Sequence, residues 1–242
     1  MRKLENKTIL IDGFKELDLE VSEEMLEKLR IFKDIMLEWN EKINLTAITE
    51  EKEVYIKHFL DSATCLSTGY IKEGMKVIDV GTGAGFPGVP IKILKEDLEM
   101  TLLDSLNKRI SYLNEVLTRL SLKKAATVHA RAEEAGSSKA HRGAYDIALS
   151  RAVASMNVLC EYCMPFVKVG GFFLCQKGPD IEGELKEAEA AIRILGGVVR
   201  EVKGYKLPYS DIKHNIIIIE KVAETPTKYP RKPGKPSASP II

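Results

Sequence analysis

Long apolar runs, paired cysteines and an excess of charge of one sign are all scarce in this chain of 242 residues. The strongest aliphatic run is IIII at 216–219, of strand length and far short of the roughly 18 apolar residues a membrane span needs. The opening residues, MRKLENKTILIDGFKELD, mix charges among apolar positions and lack the apolar centre of a secretory leader, so a cytoplasmic location is expected. Cysteine occurs only at Cys65, Cys160, Cys163 and Cys175, too few and too scattered for a disulfide framework. Cys160 and Cys163 form a C-x-x-C with no second pair, and His58, His129, His141 and His214 stand apart, so no metal site is expected. The surrounding VLCEYCMPF reads instead as an apolar helix face packed in a core. The net charge of +1 argues neither for nor against nucleic acid, and any such contact must come from local clustering.

What the chain does have is 45% apolar and 29% charged residues, the balance of one moderately large domain with appended elements. Residues 22–40, SEEMLEKLRIFKDIMLEWN, place Met25, Leu29, Phe32, Met36 and Trp39 on one stripe of a helix with Ser22 as its N-cap. A second helix follows over EKEVYIKHFLDSATCL, after the turn-prone NLTAIT. Together these make an N-terminal helical extension over 1–72.

From Met75 the pattern changes to short apolar runs alternating with helical stretches. Strands are expected at KVIDV (76–80), MTLLD (100–104), ATVHA (126–130), DIALS (146–150) and GFFLCQ (171–176), with helices after Ser105 and over 181–195. This alternation predicts an α/β core over 73–222, a mostly parallel twisted sheet with helices on both faces. VVREVKGYKLP and HNIIIIEKV are consecutive strands, hence an antiparallel pair at one edge.

Residues 79–90 read DVGTGAGFPGVP, a glycine-rich turn directly after the first strand, where open parallel sheets bind ligands. A P-loop is excluded because Val89 and Pro90 stand where Lys and Ser or Thr are required. Gly83, Gly85 and Gly88 match the dinucleotide spacing, but Pro87 and Pro90 delete backbone donors that a pyrophosphate needs, and Asp79 adds negative charge. S-adenosylmethionine suits the turn better, since it carries an ammonium and no phosphate. Gly81 and Gly83 let the main chain lie along it, Asp79 faces its ammonium, and Asp104 at the second strand tip accepts from its ribose hydroxyls. The competing reading of both aspartates is ordinary strand-end or helix-cap chemistry. Beyond the third strand, Arg131, Ala132, Glu133 and Glu134 sit where a loop meets an adenine ring. Arg151 leaves the fourth strand on the ligand side, either touching the ligand or pairing with Glu133 or Asp146.

With these residues placed, the chain resembles the GidB family, also called RsmG, of small-subunit ribosomal RNA methyltransferases. The likeness runs through NLTAIT, HFLDS (58–62), DVGTGAGFPGVPIKI, LLDSLNKRISYL, RAEE, DIALSRAVA, the KG at 177–178 and TPTKYPRKPGKPS (225–237). It implies a Rossmann-like class I S-adenosylmethionine-dependent methyltransferase fold. It also implies methyl transfer to N7 of a guanine in 16S rRNA, with rRNA or a small-subunit particle as partner and no obligate protein partner. Cofactor contacts are implied at Gly81, Phe86, Ala132, Glu133 and Arg151. A same-fold enzyme acting on a small molecule or protein, and a non-catalytic regulator, are the rival readings.

N7 of guanine carries a lone pair and no proton, so no general base is required and no catalytic residue is named; positioning carries the reaction. His58, Asp61 and Ser62 mimic an active-site cluster but read as the join between extension and core. The last twenty residues hold half of the ten prolines, which predicts an extended, polyproline-like basic tail over 223–242. On composition alone it is either a disordered terminus or a nucleic-acid contact, and the resemblance favours RNA. Arg131, Arg142, Lys177, Lys228, Arg231 and Lys232 are the expected RNA contacts. Deleting 225–242 is accordingly expected to weaken RNA binding and leave cofactor affinity intact.

Overall fold

The computed structural model describes residues 2–151 and 154–242, with side chains from Lys7 onward. Its centre is a seven-stranded sheet in the order β3-β2-β1-β4-β5-β7-β6. The strands are β1 (Lys76–Val80), β2 (Glu99–Asp104), β3 (Ala125–His129), β4 (Tyr145–Arg151), β5 (Val167–Lys177), β6 (Gly197–Lys206) and β7 (Lys213–Lys221). The first five pair in parallel, and β7 runs antiparallel between β5 and β6. The expected antiparallel pair is present, with its second strand inserted against β5 and its first forming the edge.

Pleating explains the isoleucine run. Successive side chains of a strand point to opposite faces, so Ile216 and Ile218 join one core while Ile217 and Ile219 join the other. Both faces are therefore covered, as parallel sheets require. Helices α5 (Gly88–Leu94) and α6 (Asn107–Arg119) cover one face, and α7 (Ala132–Ser137), α8 (Met156–Cys163) and α9 (Glu182–Ile194) the other. Cys160 and Cys163 are wholly buried in that second core, consistent with the packing reading.

The extension consists of α1 (Arg2–Glu16), α2 (Glu23–Ile43), α3 (Glu51–Val54), a π-helical turn (Tyr55–Leu60) and α4 (Asp61–Ser67). Ser22 caps α2, its Oγ accepting from the Met25 amide at 3.2 Å. Leu26, Leu29, Phe32, Ile35 and Met36 are buried beneath it, each contributing roughly 1.5–3 kcal/mol by leaving water. The sequence reading missed α1, whose buried hydrophobic side chains among the described residues are Leu10 and Phe14, set among charged neighbours. It also treated 51–66 as one regular helix, whereas six of those residues form the wider π turn.

The C-terminal segment departs from expectation. It is neither extended nor polyproline-like throughout: it docks on the second core through Ile241 and forms α10 (Lys235–Ala238). Arg231 explains the docking, because its main-chain N, Nε and Nη2 all donate to the buried Glu161 carboxylate of α8, at 2.5–3.0 Å. Arg142 donates to the Tyr229 and Thr225 carbonyls at 2.7 and 2.6 Å.

Candidate functional site

Strand order reverses between β1 and β4, whose carboxyl ends open onto the glycine turn, the position at which open α/β sheets bind ligands. Gly81 and Gly83 adopt left-handed φ of 73° and 60°. A Cβ at Gly83 would meet nothing closer than 3.9 Å, so bare main chain faces the cleft there. Gly88 has the opposite role. A Cβ on it would lie 2.6 Å from Leu102 Cδ2 and 2.8 Å from Asp79 Oδ2, so glycine permits α5 to pack onto the sheet.

The start of α5 has no donors to offer an anion. The Gly88 amide donates to Asp79 Oδ2 at 2.8 Å, the Val89 amide to the Gly85 carbonyl at 2.8 Å, and Pro90 has none. This geometry agrees with a pyrophosphate being the poorer fit to the turn.

Asp79 is corrected by the same contacts. It lies wholly buried beneath the turn, accepting from Thr82 Oγ1 at 2.6 Å as well as from Gly88, and it lines neither cleft described below. Burial pushes its carboxyl up to about 6, against those two hydrogen bonds and the charge of Arg151. Through Oδ2 it fixes the turn, whereas Oδ1 is buried without a hydrogen-bond partner among the described residues, and the carboxylate does not reach either cleft to make the ammonium contact expected of it.

Two clefts meet over the strand tips. The first, about 420 Å³, is lined by Gly81, Gly83, Phe86, Asp104, Arg109 and Arg151 among others. The second, about 270 Å³, is lined by Ala132, Glu133, Tyr162 and Ser237. Gly81, Asp104 and Ser105 line both. All the expected cofactor residues except Asp79 are thus brought together on one continuous surface. Asp104 is 3% exposed, and its carboxylate accepts from the Gly83 amide at 3.0 Å and the Leu106 amide at 2.9 Å.

Arg151 closes one end of the first cleft. Its Nη1 donates to Asp61 Oδ2 at 2.7 Å and to the Lys57 carbonyl at 3.2 Å, and its Cζ lies 5.1 Å from the Phe86 ring centroid. Neither Glu133 nor Asp146 is its partner: Glu133 accepts from the Gly234 amide and Asp146 from the Lys76 amide. His58 stacks on Phe86 at 4.3 Å and 19°. Because a guanidinium only donates, the 3.3 Å contact from Arg151 Nη2 makes His58 Nδ1 an acceptor. The proton therefore sits on Nε2, donated to Thr46 Oγ1 at 3.0 Å. Burial, then the Arg151 charge, push the imidazole down to about 4, so it is neutral at neutral pH. Burial pushes the Asp61 carboxyl up, but bonds from His214 and Arg151 outweigh it and hold the group below the usual range.

Several contributors escaped sequence reasoning. Thr46 and Arg109 lay inside motifs quoted above without being singled out. Tyr162 lies between the two cysteines of the C-x-x-C, which carries no binding pattern, and Ser237 ends the tail motif, which the sequence reading assigns to RNA and not to the cofactor. Ala152 and Val153 of SRAVA lie outside the described residues. Among the expected RNA contacts, Arg131, Lys228 and Lys232 are exposed. Arg142 and Arg231 are engaged with the tail and α8, and Lys177 Nζ donates to the Ala154 carbonyl and Glu184, both at 2.7 Å.

Residues 25–215 match the family described as GidB: rRNA small subunit methyltransferase G. A protein named ribosomal RNA small subunit methyltransferase G from Alkaliphilus metalliredigens is 56% identical over 98% of this chain and 100% of its own length. Its namesake from Alkaliphilus oremlandii is 57% identical with the same coverage. Among solved structures, a SAM-dependent methyltransferase from Aquifex aeolicus superposes with a TM-score of 0.51 at 19% identity, covering 69% of this chain and 92% of that one. A likeness at that identity speaks for the fold.

Proposed function

We propose, because the chain belongs to the GidB family of rRNA small subunit methyltransferases, that it transfers a methyl group from S-adenosylmethionine to N7 of one guanine in 16S rRNA, acting in the cytoplasm. The observation that carries this reading is the pair of joined clefts at the strand tips, floored by Gly81 and Asp104, in a chain with near-full-length likeness to those enzymes.

The residues present fit the cofactor. Bare main chain at Gly83 admits close approach, Asp104 offers a buried acceptor to hydroxyls, and Ala132, Glu133, Tyr162 and Ser237 frame a smaller recess for a planar base. When bound, S-adenosylmethionine supplies a methyl already activated by positive sulfur. The chain then has to hold the acceptor in line with it and exclude water. No side chain needs to remove a proton, since N7 has none. The arrangement of His58 suits this: with Nδ1 taken by Arg151 and Nε2–H given to Thr46, the imidazole is locked as a neutral wall, stacked on Phe86.

RNA recognition is proposed to rest on the exposed Arg131, Lys228 and Lys232, through phosphate contacts. Incubation with labelled S-adenosylmethionine and unmodified small-subunit rRNA, followed by mapping of the labelled nucleotide, tests the assignment. Label at N7 of a single guanine is expected. Label on another atom, or none on rRNA, overturns it.

A further inference from the structure

A third cleft, also about 420 Å³, adjoins the larger of the two clefts assigned to the cofactor, and among the described residues Arg151 and His58 line both. Ile48, Leu207 and Ile212 give it apolar sides, and Gln176 at the end of β5 lines it. We propose that this cleft seats the target guanine, with O6 accepting from Arg151 and the 2-amino group donating to Gln176 Oε1. The proposal rests on the functional reading above and assigns the place of its acceptor.

Three observations converge on it. The first is position, since in-line transfer needs acceptor and sulfur on opposite sides of the methyl. The two clefts adjoin at Arg151 and His58, so a base seated in one can present an edge past that shared rim to the other.

The second is the state of Gln176. This side chain is 3% exposed, and its Nε2 donates to the Asp61 carbonyl at 2.8 Å. That bond fixes which way the amide faces, because the reverse orientation would set oxygen against oxygen. Oε1 is then left buried with no hydrogen-bond partner among the described residues. A buried acceptor without a donor is costly and uncommon in a folded chain, and a bound donor removes the deficit.

The third is the donor inventory of Arg151. Of its five N–H groups, the bonds to Lys57, Asp61 and His58 use three, leaving donors for a ligand oxygen. Guanine presents O6 and N7 as neighbouring acceptors and carries its 2-amino group on the opposite side of the ring. Seating O6 at the shared wall brings N7 towards the cofactor cleft and the amino group towards Gln176. Adenine fails at both ends: its 6-amino group would face a guanidinium, and it has no 2-amino group.

The test compares rRNA carrying guanine or inosine at the methylated nucleotide, since inosine keeps N7 and O6 and lacks only the 2-amino group. Wild-type protein should show an acceptor KM at least tenfold higher for inosine. Gln176→Met should raise the guanine KM to a similar degree, discriminate less than twofold between the two bases, and bind S-adenosylmethionine within twofold of wild type by calorimetry. Equal use of guanine and inosine by wild type overturns the proposal, whether or not the variant folds. So does a Gln176→Met protein that keeps the full guanine preference. Absence of methyl transfer from wild type to any small-subunit rRNA is a different failure, which overturns the functional reading itself.

Discussion

Replacing Arg231 by alanine should impair the cofactor site, although this residue lies in a segment that composition marks as a free basic tail. Glu161 is 1% exposed and receives the Arg231 main-chain amide, Nε and Nη2. Removing one partner of a fully buried pair costs about 3–5 kcal/mol, because a charge is left uncompensated. Arg231 itself keeps 23% of its side chain in solvent, so water can take up part of the deficit, and about 2–3 kcal/mol is the expected loss. Beyond Arg231 the docked segment keeps the Gly234 amide bond to Glu133, a Ser237–Tyr162 side-chain hydrogen bond and the burial of Pro236 and Ile241, a weaker hold once the Glu161 anchor is gone. Ser237 then leaves the wall it forms with Tyr162 and Glu133. With about 1.4 kcal/mol per factor of ten, S-adenosylmethionine affinity should fall roughly tenfold or more. Calorimetry with the cofactor and urea unfolding read the two effects separately, and Arg231→Lys should fall between, since it keeps charge without the bidentate fork. An Arg231→Ala protein with wild-type affinity and an unchanged urea midpoint would refute the reasoning. Truncation at 225, expected from composition to spare the cofactor, should on the same grounds weaken it.

Asp104→Ala should lower S-adenosylmethionine affinity by about 1–3 kcal/mol, because buried donors lose their acceptor; wild-type affinity in calorimetry would place the hydroxyls elsewhere. Gly88→Ala should destabilise by about 1–3 kcal/mol through overpacking, since the new Cβ falls 2.6 Å from Leu102 Cδ2; an unchanged Tm contradicts the packing assigned to α5. His58, with a pKa lowered from 6.5 to about 4, binds more protons unfolded than folded between those values. Its contribution to stability is therefore complete above pH 6.5 and lost as pH falls towards 4, by at most about 3 kcal/mol. Asp79, raised from 3.8 to about 6, acts with the opposite sign, its contribution lost as pH rises through 6. Unfolding of His58→Gln across pH 4–6.5 should accordingly show stability decreasing with pH relative to wild type, and a parallel profile would exclude His58 as the titrating group.

The sheet was legible because burial on both faces leaves continuous apolar runs that turn residues interrupt. KVIDV matches β1 residue for residue, and only Lys76 at its mouth is exposed. The α2 stripe and Ser22 cap were legible for the corresponding reason at helical period. What stayed hidden depended on partners distant in sequence. Asp79 looks like a ligand at a strand tip, and only the return of α5 over β1 shows that it is buried there with Oδ2 bonded by Thr82 and Gly88. The prolines of the tail correctly exclude a long helix, but nothing local reveals that Glu161, 70 residues earlier, waits for Arg231. The π turn is a matter of hydrogen-bond register, to which hydrophobic periodicity is blind.

That turn bears on how the site is assembled. His58 and Asp61 sit at its middle and its end, and through Asp61 the extension grips three strands at once. Asp61 pairs with Arg151 of β4 and His214 of β7, and its carbonyl accepts from Gln176 of β5. A carboxylate with 2% of its side chain in solvent tolerates this only while Arg151 and the hydrogen bond from His214 stay in place. The strands therefore fix the extension, and the extension fixes Arg151, a side chain that lines both the cofactor cleft and the cleft proposed for the base. At the opposite end of the cofactor surface, the C-terminal segment does the corresponding job through Glu161 and Glu133. The parallel sheet alone thus supplies a floor, and the two segments flanking it in sequence supply the walls that make the floor selective.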